Sequence, residues 1–358
     1  MASFLKKVLC FSLSALMVTG GISACAGNTE TTRNAATTEA TPAETTAATE
    51  PAPTEPEAEA KVLKVLTLGH SLAVDTNHTL NLVAATEGIG EYEELVIGTL
   101  YYSGCRLSQH VSFIQSGAAE YNLYLSSTKT PDKKPDILEG FTMQQALTFD
   151  YWDIIVMMGN RWELLAEGGY TNGNIQTIQN FVNENKLNPL AYFAWHAPWA
   201  PPTDVELLDM YPYEPNSNKV NYQKYGNSRA NLFAAMSQGV ADYIMTDETF
   251  RFVIPTGTAM QNAWSSYLTE KDLHRDYGHA TDMARVMTAY VWYCKLMGIE
   301  QLDAINLDAI PIVFLKSTEN KTQDRVLTEE EKAIMLESIN NALKNPLEMT
   351  QSQYTEKP

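Results

Sequence analysis

The chain has 358 residues, with 43 acidic side chains against 25 Lys and Arg and a formal net charge of -18. That balance argues against nucleic acid and against polyanionic substrates, whose phosphates require basic patches. No stretch supplies the roughly 20 apolar residues of a membrane-spanning helix.

At the N-terminus, Lys6 and Lys7 precede a short apolar run, Val8 to Val18, and then small residues ending in Ile22-Ser23-Ala24-Cys25. This order reads as a secretory signal over 1–25. The last four residues resemble a bacterial lipobox. The resemblance implies acylation of Cys25, export, and a lipid anchor on the outer face of a bacterial membrane, with no span. The alternative is an ordinary signal peptide with a coincidental cysteine. Residues 26–60 are Thr, Ala, Glu and Pro with almost no large apolar side chain. They bury too little to offset chain entropy and read as a disordered, extended tether. The folded domain is expected over 61–358. Its cysteines, Cys105 and Cys294, show no disulfide spacing and read as separate thiols.

Residues 61–69 form a β-branched and Leu-rich run, read as a buried parallel strand. A helix is expected from Asn77, as its N-cap, to Ile89. ELVIGTLYYSG (94–104) reads as a second strand. Residues 119–145 break the rhythm and suggest an inserted hairpin followed by a short helix. WDIIVMMGN (152–160) and PLAYFAWHAP (189–198) read as buried strands separated by a helix over 174–187. A long helix is expected over 225–245, then a fifth strand running into a loop or short helix over 251–264. Two helices close the chain: an apolar one ended by Gly298, and one with a Thr328–Glu331 capping box. Strands alternating with helices give an α/β fold with a central parallel sheet of about five strands. Ligands of such sheets bind at the carboxyl ends of the strands.

Polar residues gather at those ends: His70-Ser71, Ser103-Gly104-Cys105, Gly159-Asn160-Arg161 and Trp195-His196. Asp276 and His279 follow near the penultimate helix. A serine becomes a nucleophile when a base takes its proton and a third group orients that base. Asp-x-x-His satisfies the last requirement locally. Read singly, each residue has another use. Ser71 suits a turn, Asp276 can pair with Arg275, His279 can cap a helix, and His274 competes as base. The six histidines have no His-x-x-x-His or compact Cys/His pattern, so neither a metal nor another cofactor is expected.

Taken in order, GHSLA, YYSGCRLSQH, WDIIVMMGN, WHAPWA, VIPTGTAMQNAW and DYGHATDMARVMTAYVWY resemble the SGNH (GDSL-like) hydrolase superfamily, more narrowly a poorly characterised bacterial branch. The resemblance covers about 61–350. It implies a three-layer α/β/α flavodoxin-like sandwich and a serine esterase. Ser71 would be nucleophile, His279 general base and Asp276 its orienter. The N–H groups of Ser71 and Gly104, with Asn160, would hold the oxyanion. His196, Trp199, Gln109 and His110 are expected as substrate contacts. The chain departs from the pattern at His70, where Asp or Asn is usual, and at Gly159-Asn160, which are adjacent where the pattern spaces them by one. The implied substrate is an acyl ester, an acetyl ester of a polysaccharide being the favoured case. The alternatives are a glycan-binding lipoprotein without turnover and a structural envelope protein.

Overall fold

The computed structural model describes residues 61–203, 224–307 and 327–357. The expected signal, lipobox and tether lie outside them. Seven strands form one sheet: β1 (Val62–Gly69), β2 (Glu94–Tyr101), β3 (Tyr121–Ser127), β4 (Asp136–Phe141), β5 (Ile154–Met157), β6 (Tyr192–His196) and β7 (Phe250–Ile254), in the order β4-β3-β2-β1-β5-β6-β7. Strands β2, β1, β5, β6 and β7 are parallel. These are the five expected strands. The sheet is wider than that expectation because the inserted hairpin, β3 and β4, pairs antiparallel along its β2 edge.

The helices are α1 (Ser71–Glu87), α2 (Leu107–Ser116), α3 (Met143–Leu147), α4 (Arg161–Leu164), α5 (Asn174–Asn185), α6 (Arg229–Gly239), α7 (Thr256–Ala263), α8 (Glu270–Leu273), α9 (Asp282–Met297) and α10 (Glu329–Lys344). The central strands β1, β5 and β6 bury both faces, which explains their apolar character. Ile154 and Val156 join one core with α1, α7, α9 and α10. Ile155 and Met157 join the other with α2, α3 and α5. The result is a three-layer α/β/α sandwich, doubly wound about β1.

Two boundaries differ from the sequence reading. Helix α1 begins at Ser71, six residues before the expected cap. His70 is its N-cap, with Nδ1 accepting the Leu72 N–H at 3.4 Å. Asn77 instead lies buried in mid-helix, where Nδ2 donates to Thr67 Oγ1 at 3.0 Å and Thr99 Oγ1 at 2.9 Å. It pins α1 to β1 and β2. The long helix expected over 225–245 is α6 followed by one π-helical turn, Val240–Ile244. Cys105 and Cys294 are separate buried thiols. Among the described residues no helix is long and apolar enough to cross a membrane.

Candidate active site

The order of strand addition reverses between β1 and β5, the chain building outward on one side of β1 and then on the other, so a crevice opens at their carboxyl ends. A cavity of about 620 Å³ lies there. Its walls include Ser71 after β1, Gly104 after β2, Asn160 after β5, and His279 from the loop between α8 and α9. The volume suits a small ester or a sugar residue.

Ser71 is the first residue of α1. An N–H at that position has no carbonyl of its own helix to bond, and the positive end of the helix favours developing negative charge. Gly104 sits in the left-handed region at φ 59, a conformation that favours glycine. Its carbonyl accepts from Asn160 Nδ2 at 3.0 Å, while Asn160 Oδ1 caps α4 through the Trp162 N–H at 3.0 Å. One side chain therefore joins the turn after β2 to the turn after β5.

His279 is held by Asp276 through Nδ1, at 2.9 and 2.8 Å from the two carboxylate oxygens. Nε2 is thus the nitrogen left to the cavity. Asp276 also accepts the N–H groups of Gly278 at 2.9 Å and His279 at 2.8 Å. Burial alone would push its carboxyl up, but the His279 hydrogen bond and charge and those two N–H groups outweigh it. The carboxyl lies well below its usual range and stays ionised. Arg275 Nε stands 3.9 Å from it, so His279 is the nearer partner.

The remaining cavity wall is arranged around that loop. Arg161 directs Nη1 and Nη2 toward the carbonyls of Gly278 and Tyr277, each at 3.4 Å. A Cβ on residue 278 would collide with the guanidinium, which accounts for the glycine. His70 is buried beneath the site. Burial first, then the positive charge of Arg161, pushes its ring down to about 3. It is a neutral cap at pH 7.

Several expected contacts fall elsewhere. Trp199 is fully buried and donates Nε1–H to Gly278 O at 2.9 Å. It braces the Asp276–His279 loop and, being fully buried, forms no cavity wall. His196 is also fully buried, with Nε2 2.7 Å from Thr256 Oγ1, and burial pushes it down to about 3. His110 bonds Tyr121 OH at 2.7 Å under α2, and burial lowers it to about 4. All three follow the strands or helices inward, because their apolar surroundings exclude water from both sheet faces. Gln109 does line the cavity, but its Oε1 is engaged by the Arg106 N–H at 3.0 Å. His274, the competing base, is buried and stacked on Trp264 at 4.9 Å. Burial pushes the Cys105 thiol up, which removes it as a nucleophile. Among the described residues no group of three His, Cys, Asp or Glu side chains is gathered to hold a metal ion.

The roles of Arg161 and Trp199 in bracing residues 277–278 were missed from sequence. Only Gly278, wedged in a polar loop, signals that something packs closely there.

The architecture is thus a doubly wound α/β fold with a serine and an Asp–His pair at its carboxyl edge. Residues 64–307 match a domain of unknown function (DUF4886), and the chain belongs to that family. No curated protein matches it. A DUF4886 family protein of Bacteroides uniformis ATCC 8492 is similar in fold, with 20% identity and a TM-score of 0.62 over 83% of this chain and all of that one. A candidate SGNH hydrolase of Slackia heliotrinireducens is 14% identical over 65% of this chain and 98% of its own, with a TM-score of 0.39. The lipase Lip_vut3 from a goat rumen metagenome is 14% identical over 66% and 98%, with a TM-score of 0.35.

Proposed function

We propose that this protein is a serine ester hydrolase of the SGNH type. The observation that carries the reading is the Asp276–His279 pair, anchored through Nδ1, in the same cavity wall as Ser71. Ser71 Oγ attacks the acyl carbonyl as its proton passes to His279 Nε2. Asp276 stabilises the imidazolium without taking the proton. The N–H groups of Ser71 and Gly104 receive the oxyanion, and Asn160 holds the Gly104 turn. Collapse expels the alcohol, which takes the proton from His279. Water, activated by the same histidine, then frees the acid from the acyl-enzyme.

The favoured substrate is a small acyl ester, acetyl on a polysaccharide, with the domain exported and held at a bacterial membrane surface through Cys25. Support for the anchor is the order of Lys6-Lys7, the apolar run and Ile22-Ser23-Ala24-Cys25. The amide of Asn160 is already engaged by Gly104 O and Trp162 N–H, which favours a second reading, glycan binding without turnover.

A fluorophosphonate probe mapped by mass spectrometry separates the two. The hydrolase labels at Ser71. Ser71→Ala and His279→Ala each abolish turnover of an aryl acetate, and the double variant is little worse than either because the groups act as one unit. Turnover by Ser71→Ala equal to wild type refutes the mechanism. A folded wild type without labelling or turnover leaves glycan binding.

A further inference from the structure

Asp75 lies one helical turn beyond Ser71 on α1, buried beneath the site. Its Oδ1 accepts from Arg285 Nη2 at 2.8 Å, Arg285 Nε at 3.2 Å and Arg275 Nη1 at 3.0 Å. Its Oδ2 accepts the backbone N–H of Ala280 at 2.9 Å. Arg275 immediately precedes Asp276, and Ala280 immediately follows His279. One carboxylate on the nucleophile's helix therefore grips both ends of the segment that carries the acid–base pair.

The segment is closed on itself as well. The Arg275 N–H donates to His279 O at 3.0 Å, and Arg275 Nη1 also reaches Ala280 O. Arg285 is steadied on α9 by Asp282 at 3.0 Å. Burial pushes the Asp75 carboxyl up, but the guanidinium groups of Arg285 and Arg275 outweigh it and hold it below its usual range. The cluster is thus a buried, ionised network.

Such a network is a poor way to gain stability, since well-packed apolar side chains of similar volume often do as well or better. Its best-attested use is to fix register. Here the register in question is that of a loop against a helix end, and the two bear His279 and Ser71. Trp199 and Arg161 brace the middle of the loop at residues 277 and 278. The ends of the loop are tied to α1 by Asp75.

We propose that Asp75 is a positioning residue that sets the placement of the Asp276–His279 segment against the helix of Ser71. Its effect on rate rests on the hydrolase reading above. Its effect on loop geometry does not.

The test uses the full chain with Asp75→Asn and Arg275→Gln. Three quantities are read: the fluorophosphonate labelling rate at Ser71, kcat and KM for p-nitrophenyl acetate, and the downfield Nδ1–H proton resonance of His279. Asp75→Asn is expected to lower labelling and kcat by about a hundredfold, the scale of a 1 Å misplacement, with KM within about twofold. The His279 resonance should broaden or move upfield while near-ultraviolet circular dichroism is retained. Labelling within about twofold of wild type, with the resonance unmoved, overturns the proposal. If Asp75→Asn does not fold, Arg275→Gln decides on the same readouts, because it removes only the outer arm of the clamp. If wild type neither labels nor turns over, the hydrolase reading fails by itself. The His279 resonance then decides alone: its loss in the variant supports the clamp, and its persistence overturns it.

Discussion

Acid should unfold this domain earlier than its carboxylates alone would. His70, His110, His196 and His274 are all buried. Burial holds His70 and His196 down to about 3, His110 to about 4, and His274 well below the usual range. In the unfolded chain each titrates near 6.5. Between those values the unfolded state binds more protons, so stability falls as pH falls. From pH 7 to pH 5.5 each ring held well below that range costs on the order of 1 kcal/mol, so the buried rings together remove several kcal/mol. A domain typically has about 5–15 kcal/mol in all. Held-down carboxyls such as Asp276 and Asp75 act in the same direction, but only as pH approaches the unfolded carboxylate value near 4. Urea unfolding followed by tryptophan fluorescence at the two pH values measures the loss. His274→Phe keeps a ring on Trp264 while removing one titrating site, and should recover part of it. A loss below about 1 kcal/mol would refute the argument, since the rings would then have to protonate inside the folded state.

Trp199→Phe removes the Nε1–H to Gly278 O but keeps most of the buried volume. It should lower kcat equally on a small aryl acetate and on an acetylated glycan; a loss confined to the glycan would restore Trp199 to the substrate wall. Cys25→Ser should move the domain from the membrane fraction to the soluble fraction with its thermal midpoint unchanged. Retention on membranes after a salt wash would refute the lipid anchor.

The sheet was legible because parallel strands buried on both faces leave largely apolar runs, unbroken at Ile154–Met158 and interrupted only by Lys64 and Thr67 at Leu63–Leu68. The Asp276–His279 pair was legible because it is local: three residues bring carboxylate and imidazole together. Histidines near the carboxyl edge, on β6 and on α2, were not. His196 and His110 carry the same polar signature as a cavity residue, and only the packing around them shows that each ring turns inward to a hydroxyl, Thr256 or Tyr121. The start of α1 was misplaced for a related reason. Asn77 has the side chain of a cap, but the hydroxyls of Thr67 and Thr99 on two strands offer it partners that local sequence does not reveal.

The adjacency of Gly159 and Asn160 has a structural consequence that can be tested. Strand β5 ends at Met157 and α4 begins at Arg161, so Asn160 stands at the cap position between them. Its Oδ1 serves the helix and its Nδ2 serves Gly104 O. Arg161, next along, turns its guanidinium to the carbonyls of Gly278 and Tyr277. Neighbouring residues thus tie β5 to the Gly104 turn and to the loop that carries Asp276 and His279. Asn160→Asp separates the two duties of Asn160, because aspartate caps a helix as well as asparagine but cannot donate to Gly104. Stability should stay within about 1 kcal/mol of wild type. The added negative charge and the lost tether should lower kcat by about 10²–10³, the scale of one oxyanion donor. Asn160→Ala should lose the cap as well, by about 1 kcal/mol in thermal or urea unfolding. If Asn160→Asp keeps wild-type kcat on p-nitrophenyl acetate, Gly104 is placed without Asn160, and the tethering role given to Asn160 fails.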